Sequence, residues 1–385
     1  MSFSRSDRSL LARWWFTVDQ SLLTAALFLF AIGLVVSLAA SPAVADAKGL
    51  RPFQFVERHL LHALVGVVVM LAISLMEPRA IRRLALGVLL CAVTAMVVAL
   101  IAGPELNGAR RWISFGGMTL QPSEFAKPAF VVLAAWALSE HQQRPDMPGL
   151  YIAIGLAVIV VGALLLQPDI GQAVLITAAL GALLVLAGLP LVWPFGVAVA
   201  GVALVAVAYV LIGYVQNRVN AFLSGEFVTG AQTERALRAF LEGGFWGRGP
   251  GAGTIKTDLA DAHTDFIFAV IAEEYGIGAC LGLVAIYAII VTRLVIGGIA
   301  QADPAIRSAL IGLAVIVGLQ ASVHMAVNVG LLPATGMTLP LISAGGSSML
   351  AISATLGMGL ALSRRRPQAS RLKRTAFATK AAIQD

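Results

Sequence analysis

Ten apolar runs decide what this chain can fold into. They occupy residues 20–40, 59–76, 84–103, 127–139, 150–167, 171–188, 195–214, 266–292, 308–330 and 346–363. An α-helix needs about 20 apolar residues to cross the hydrocarbon of a bilayer. A backbone there must satisfy its own hydrogen bonds, which a helix does within one segment. The fourth, fifth and sixth runs are short or interrupted, so their limits are soft. Only 12% of the 385 residues are charged and 59% are hydrophobic, against about 25% charged in a soluble domain. The expected fold is therefore an all-α polytopic membrane protein with about ten transmembrane helices. An even number places both termini on one side.

Lysine and arginine choose that side, because basic residues are retained in short cytoplasmic loops. With the N-terminus inside, the inner segments take the larger share of the 27, chiefly through the tail from Arg364 to Lys380. Residues 1–19 then form a cytoplasmic N-terminal segment, 20–363 one membrane domain, and 364–385 a basic cytoplasmic tail. The tail reads as a positive-inside anchor able to touch anionic lipid, and nothing in it points to nucleic acid. The first run exceeds the roughly 7–15 residues of a signal-peptide core, so it reads as an uncleaved anchor. Cys91 and Cys280 both fall in apolar runs, which supports neither a disulfide framework nor a cysteine metal site.

The outward cations concentrate in two loops, so part of the outer face is built to meet an anion. The larger loop spans 215–264, between helices seven and eight. Within it Arg235, Arg238 and Glu242 share one side of a helical pattern, and Ala236, Leu237 and Phe240 the other. A helix lying at the interface, followed by the glycine-rich turn Gly243–Gly253, is expected. Phe245 and Trp246 suit the headgroup belt.

Three constellations and one carboxylate carry candidate chemistry. Asp265 stands at the threshold of the eighth apolar run, where a charge must face protein or water. On an ideal helix Asp265 and Glu273 lie about 80° apart and can line one cavity; the plainer alternative is that Asp265 caps the helix N-terminus. Asn107-Gly-Ala-Arg-Arg-Trp112 puts Arg110 and Arg111, whose guanidinium forks match phosphate, beside Trp112. In the same constellation, Glu124 and Lys127 in Gln121-Pro-Ser-Glu-Phe-Ala-Lys127 share a helical face and should pair. Asp169 in Gln167-Pro-Asp-Ile-Gly reads as an N-cap. The broken stretch from Asn328 to Ser348 must line water or be enclosed by protein, and its serines and amides can hold sugar or phosphate. His324, alone on an apolar helix, reads as a hydrogen-bonded core histidine.

No Walker loop, dinucleotide fingerprint, His-Glu-x-x-His or Gly-x-Ser-x-Gly is present, so no nucleotide site is expected. A donor used at the outer face must arrive activated and membrane-borne, as a lipid-linked pyrophosphate sugar does. In order and context, Asn107-Gly…Arg111-Trp, Gln121-Pro-Ser-Glu…Lys127, Gln167-Pro-Asp-Ile-Gly, Ala262-His-Thr-Asp-Phe-Ile-Phe…Glu273-Glu274 and Leu339-Pro-Leu-Ile-Ser-Ala-Gly-Gly-Ser-Ser348 resemble the SEDS (shape, elongation, division and sporulation) family. That likeness runs from about Trp14 to Arg366. The surroundings of His263 and the Trp14–Asp19 opening are similar to its division branch more than its elongation branch. Departures fall at Ala260-Asp261, at Ala344 and within 231–236.

The resemblance implies a peptidoglycan glycosyltransferase that polymerises lipid II. Asp265 would be the catalytic base. Arg111, Arg218 and Lys256 would neutralise pyrophosphate, with a divalent cation (magnesium or manganese) as a further candidate. Glu124, Lys127, His263, Ser343, Gly345, Gly346, Ser347 and Ser348 would belong to the substrate site, with Trp112, Asp169 and Glu273 structural or lining it. It further implies an undecaprenyl-pyrophosphate-linked glycan, a class B penicillin-binding transpeptidase and other division proteins as partners, and the bacterial inner membrane at the septum as the location. The alternatives are a polymerase of the elongation branch and a lipid II flippase, since broken helices and intramembrane acids also suit transporters.

Overall fold

The computed structural model describes residues 9–47, 49–105, 109–115, 118–144, 146–223, 232–259 and 262–364. Asn107, Ala231, Ala260, Asp261 and the tail beyond Arg364 lie outside these. The helices are α1 (Leu10–Thr17), α2 (Gln20–Ala47), α3 (Gln54–Ser74), α4 (Pro78–Ala102), α5 (Pro122–Gln143), α6 (Gly149–Leu166), α7 (Ile170–Leu186), α8 (Val192–Leu211), α9 (Gly213–Leu223), α10 (Gln232–Gly243), α11 (Ile267–Ile299), α12 (Pro304–Asn328) and α13 (Gly346–Ser363). A short antiparallel hairpin, β1 (Ile113–Phe115) with β2 (Met118–Leu120), pairs Ile113 with Leu120.

Each apolar run falls on a helix. Among the described residues eight helices are long and apolar enough to cross a membrane. The other two runs are α7, which is shorter, and α5, which carries Glu124 and Lys127 near its start. Their positions in the bundle differ sharply. α5 is packed on all sides, with Ala126, Ala129, Ala134, Ala135 and Ala137 fully buried, as small side chains let neighbouring helices close in where lipid offers no hydrophobic drive. α13 is likewise enclosed, whereas α8 buries only 6% of its apolar window against the rest of the chain.

At the inner end α1 lies against the bundle, its Trp14 indole donating to Ser74 Oγ at 2.9 Å. Arg293 of α11 grips Asp19 with its Nε and Nη2 at 3.0 and 2.7 Å. At the outer end sit the hairpin, α9, α10 and the segment 329–345. α10 packs on α11 through buried Ala236 and Ala239 and the Phe240–Phe268 ring contact at 5.6 Å.

α11 opens at Gly276 (φ 80°, ψ 173°), a conformation open to glycine because a Cβ would crowd the backbone. The loop after α10 enters this break. Arg248 N–H donates to Glu273 O at 2.9 Å and Gly249 N–H to Glu274 O at 3.0 Å; Ile277 N–H donates to Gly244 O at 2.9 Å and Gly278 N–H to Phe245 O at 3.1 Å. The groups freed at the break thus find partners. Phe245 and Trp246 remain exposed and meet edge to face at 5.0 Å.

Candidate active site

Asp265 lies in a turn, residues 262–266, just before α11 begins. The capping alternative fails. The N-cap position is Phe266, which makes no side-chain cap, and the Ala269 amide is taken by Asn328 Oδ1 at 3.1 Å. Asn328 Nδ2 also donates to the Asp265 carbonyl at 3.0 Å and to His324 O at 2.9 Å. One side-chain amide therefore fixes the backbone that carries the carboxylate. Ser343 Oγ donates to Thr264 O at 2.7 Å, and Ala344 N–H to His263 O at 2.9 Å. The strip is held from both sides, and Asp265 stays half-buried with Oδ2 3.9 Å from where a Cβ on Gly336 would stand. Gly336 has φ 72°, and its lack of a side chain keeps the approach to that oxygen open.

Gly336 belongs to the segment 332–337 that walls a cavity of about 320 Å³. Arg111 and Arg218 line it, together with Asp169 and apolar residues of α7 and α12. Arg218 Nη1 donates to Ala334 O at 2.8 Å. Arg111 Nη1 stands 3.6 Å from Asp169 Oδ2. Asp169 does cap α7, accepting from Gln172 N–H at 3.4 Å, and it also accepts from Gln121 Nε2 at 3.1 Å. The sequence shows the cap; its second task, orienting a guanidinium, needs the fold. Burial pushes the Asp169 carboxyl above its ordinary value, and the Arg111 charge opposes that rise.

The cavity continues into a larger, almost wholly apolar trough of about 990 Å³ between α7 and α8. Val174, Ala178, Val205 and Val219 line both. Two guanidinium groups at the polar end of an apolar trough suit an amphipathic anion, since such groups match phosphate oxygens and an apolar cavity matches a hydrocarbon tail.

Several residues expected at this site lie elsewhere. Glu273 does not line a cavity with Asp265, because Asp265 precedes the helix and the angular argument does not apply. The Glu273 carboxylate is fully buried and accepts from the amides of Thr254, Ile255 and Lys256 at 2.6, 2.8 and 3.1 Å. Lys256 does not face the groove either. Its ammonium is buried, paired with Glu274 and donating to Ala39 O at 2.9 Å. Glu124 and Lys127 do pair, at 2.9 Å, in full burial beneath the groove. Lys127 donates to Gln320 Oε1 at 2.7 Å and Gln172 to Glu124 at 2.6 Å, while Gln320 donates to Thr338 O at 3.1 Å. This network supports the wall of the site rather than opening into it.

The serines too are engaged with protein. Ser343 accepts from Leu339 N–H at 2.8 Å, Ser347 from Gln121 N–H at 2.9 Å, and Ser348 from Thr338 Oγ1 at 2.6 Å. They shape the loop, and its glycines Gly345 and Gly346 line a separate cavity. Trp112 is half-buried beside Arg111. His263 packs against Phe55 with ring centroids 4.6 Å apart and planes tilted by 49°. His324 donates from Nδ1 to Met337 O, 2.7 Å away, inside the core as expected. Sequence reasoning missed Gln320 and the part Asn328 plays. A lone amide in an apolar helix was the available signal for Gln320. Among the described residues no group of three or more His, Cys, Asp or Glu is placed to hold a metal.

The fold and groove define a polytopic membrane protein whose outer polar site opens sideways on a lipid-sized trough. The chain belongs to the FtsW/RodA/SpoVE family of cell cycle proteins, which matches residues 19–368. A probable peptidoglycan glycosyltransferase FtsW of Caulobacter vibrioides is 44% identical over 96% of this chain and 95% of its own length. The same-named protein of Idiomarina loihiensis is 34% identical over 90% of this chain and 87% of its own. Among solved structures, a chain of a peptidoglycan synthase complex that coordinates polymerization and crosslinking superposes with a TM-score of 0.74, at 29% identity over 91% of this chain and 98% of that one. The rod shape determining protein RodA of Thermus thermophilus gives 0.68, at 27% identity over 91% and 97%.

Proposed function

We propose that this protein is a peptidoglycan glycosyltransferase that joins lipid II into β-1,4 glycan strands at the outer face of the cytoplasmic membrane, for septal wall synthesis. The observation that supports this reading is the Asp265 carboxylate, held by its backbone beside Gly336, in the segment that walls a cavity bearing two arginines and running into an apolar trough. The groove takes the lipid-linked donor, with Arg111 and Arg218 on its diphosphate. Asp265 accepts the proton of the acceptor's 4-hydroxyl as that oxygen bonds to the donor's anomeric carbon. The anomeric C–O bond to diphosphate breaks with its electron pair, and polyprenyl diphosphate leaves with its charge matched by the two guanidinium groups. Attack opposite the leaving group inverts the α-linked donor to a β-linkage.

General-base assistance of this kind contributes about 10²–10⁴ in rate, and the rest comes from placing two substrates against each other. A metal has no resident donor set among the described residues, so a divalent cation would travel with the diphosphate, and no step here depends on one. The inner membrane is the compartment, and a class B penicillin-binding transpeptidase with other division proteins completes the assembly, a reading supported by the fold shared with a chain of a peptidoglycan synthase complex.

The test is strand synthesis from lipid II by the purified protein with its transpeptidase partner. Asp265→Asn should lose at least about 10²-fold in rate while its melting profile is kept. Strands made at near wild-type rate by that variant would remove Asp265 as the base. Labelled lipid II crossing vesicles without polymer formation would support the flippase instead. Depletion in cells separates the two branches: filaments follow loss of septal synthesis, round cells loss of elongation.

A further inference from the structure

The end of the bundle away from Asp265 holds a cavity that the reaction proposed above does not use. It measures about 170 Å³ and lies where the starts of α4 and α12 meet the ends of α5 and α13. Basic residues favour this end, which makes it the cytoplasmic one. Arg79 and Arg82 of α4, Val132 and Trp136 of α5, and Asp303 and Ile306 of α12 line the cavity. The Arg82 guanidinium lies over the Trp136 ring, its Cζ 4.8 Å from the centroid. The indole is itself held, Nε1 donating to Glu140 Oε1 at 3.1 Å. A stacked guanidinium uses its face, and its N–H groups remain free to donate in its own plane. Among the described residues neither the Arg79 nor the Arg82 guanidinium has an ion pair or hydrogen bond. Arg144 and Arg293, at the same end, are paired with Glu140 and Asp19. The acid in the lining, Asp303, caps α12 by accepting from Ala305 N–H at 2.9 Å. Two cations against that one acid leave the cavity net positive.

We infer that this cavity seats the phosphodiester of an anionic glycerophospholipid from the cytoplasmic leaflet. An ionised phosphate oxygen there accepts from both guanidinium groups. Basic pockets between transmembrane helices on the cytoplasmic side are suited to anionic headgroups, and a tryptophan such as Trp136 suits the headgroup depth. At about 170 Å³ the space is smaller than the roughly 300–1,000 Å³ of sites that enclose a whole ligand. It therefore takes the headgroup and leaves the acyl chains in the bilayer. Leu86, one turn along α4 from Arg82, is exposed and offers apolar surface to one of those chains. A lipid seated in this way ties α4, α5 and α12 together at their inner ends.

The test is independent of turnover, so its outcome does not bear on the polymerase reading. The full chain in detergent is given phosphatidylglycerol, phosphatidylcholine or inorganic phosphate. Phosphatidylglycerol should raise the melting temperature, and the other two should not. Native mass spectrometry should find phosphatidylglycerol retained on the wild type. Arg79→Gln and Arg82→Gln should each weaken its binding by about fivefold, the contribution of one basic residue near an anionic surface. Arg79 is exposed, so its variant keeps the fold and the test does not hang on Arg82→Gln. Arg83→Gln, also exposed but outside the cavity, should leave binding unchanged. An equal loss in Arg83→Gln would mean general attraction to a basic surface and would overturn the site. Equal stabilisation by inorganic phosphate would assign a free anion instead of a lipid and overturn it too. Undiminished binding in the Arg79→Gln, Arg82→Gln double variant would do the same.

Discussion

Lys127 and Glu124 illustrate how much one buried pair constrains. Both are almost fully enclosed, with Lys127 1% exposed, and each also holds a neutral amide, Gln320 or Gln172. Removing one partner leaves a buried charge, which costs about 3–5 kcal/mol. Lys127→Met should therefore lower the unfolding temperature in detergent markedly. Lys127→Met with Glu124→Gln should recover much of that loss, because no charge is then left alone. Asp169 makes a pH prediction. Its pKa is raised by burial from an ordinary 3.8, so its contribution to stability is fully present below that value and is lost as pH rises through the folded one. Arg111 counters the rise. In Arg111→Gln the folded value climbs further, and the stability deficit relative to the wild type should widen as pH is raised from about 4 toward 7. Thermal melts across that range check it, and a deficit that narrows instead would remove Arg111 as the opposing charge.

At the scale of elements, the best-defined outer structure is the splice of the 243–249 loop into α11. Glu273 anchors its far side by accepting three amides. Each amide left without a partner costs about 1–3 kcal/mol, so Glu273→Ala should destabilise this region strongly, read as faster proteolysis within 243–259 before global melting. Gly276→Ala should act in the same way, since a Cβ there would overlap the Phe245 carbonyl and its φ is positive. Much of this was legible in the sequence. The ten apolar runs give the helices, and the amphipathic pattern around Arg235 and Phe240 gives α10. The roles of Lys256 and Glu273 were not legible, because a charge pattern shows that buried charges need partners but not which ones. Lys256 finds Glu274 only because α11 breaks at Gly276 and admits a distant loop.

For the whole molecule, the function proposed above would make the lipid tail part of recognition through the groove and trough. Each buried methylene contributes about 0.8 kcal/mol, so a long prenyl chain can dominate affinity. Ala178 is exposed at the passage shared by the two cavities. Ala178→Trp should fill that passage and depress turnover of long-chain lipid II more than of a short-chain analogue, with folding unaffected; equal loss on both substrates would argue that the tail lies elsewhere. The splice between α10 and α11 has a mechanical consequence. Backbone bonds running both ways across the break join the outer helix and the first half of α11 into one lever. A partner that leans on α10 from outside would tilt the start of α11, and with it the acid, instead of merely bending a loop. The exposed surface of α10 is in this way tied, by hydrogen bonds of the loop that follows it, to the helix that begins next to Asp265.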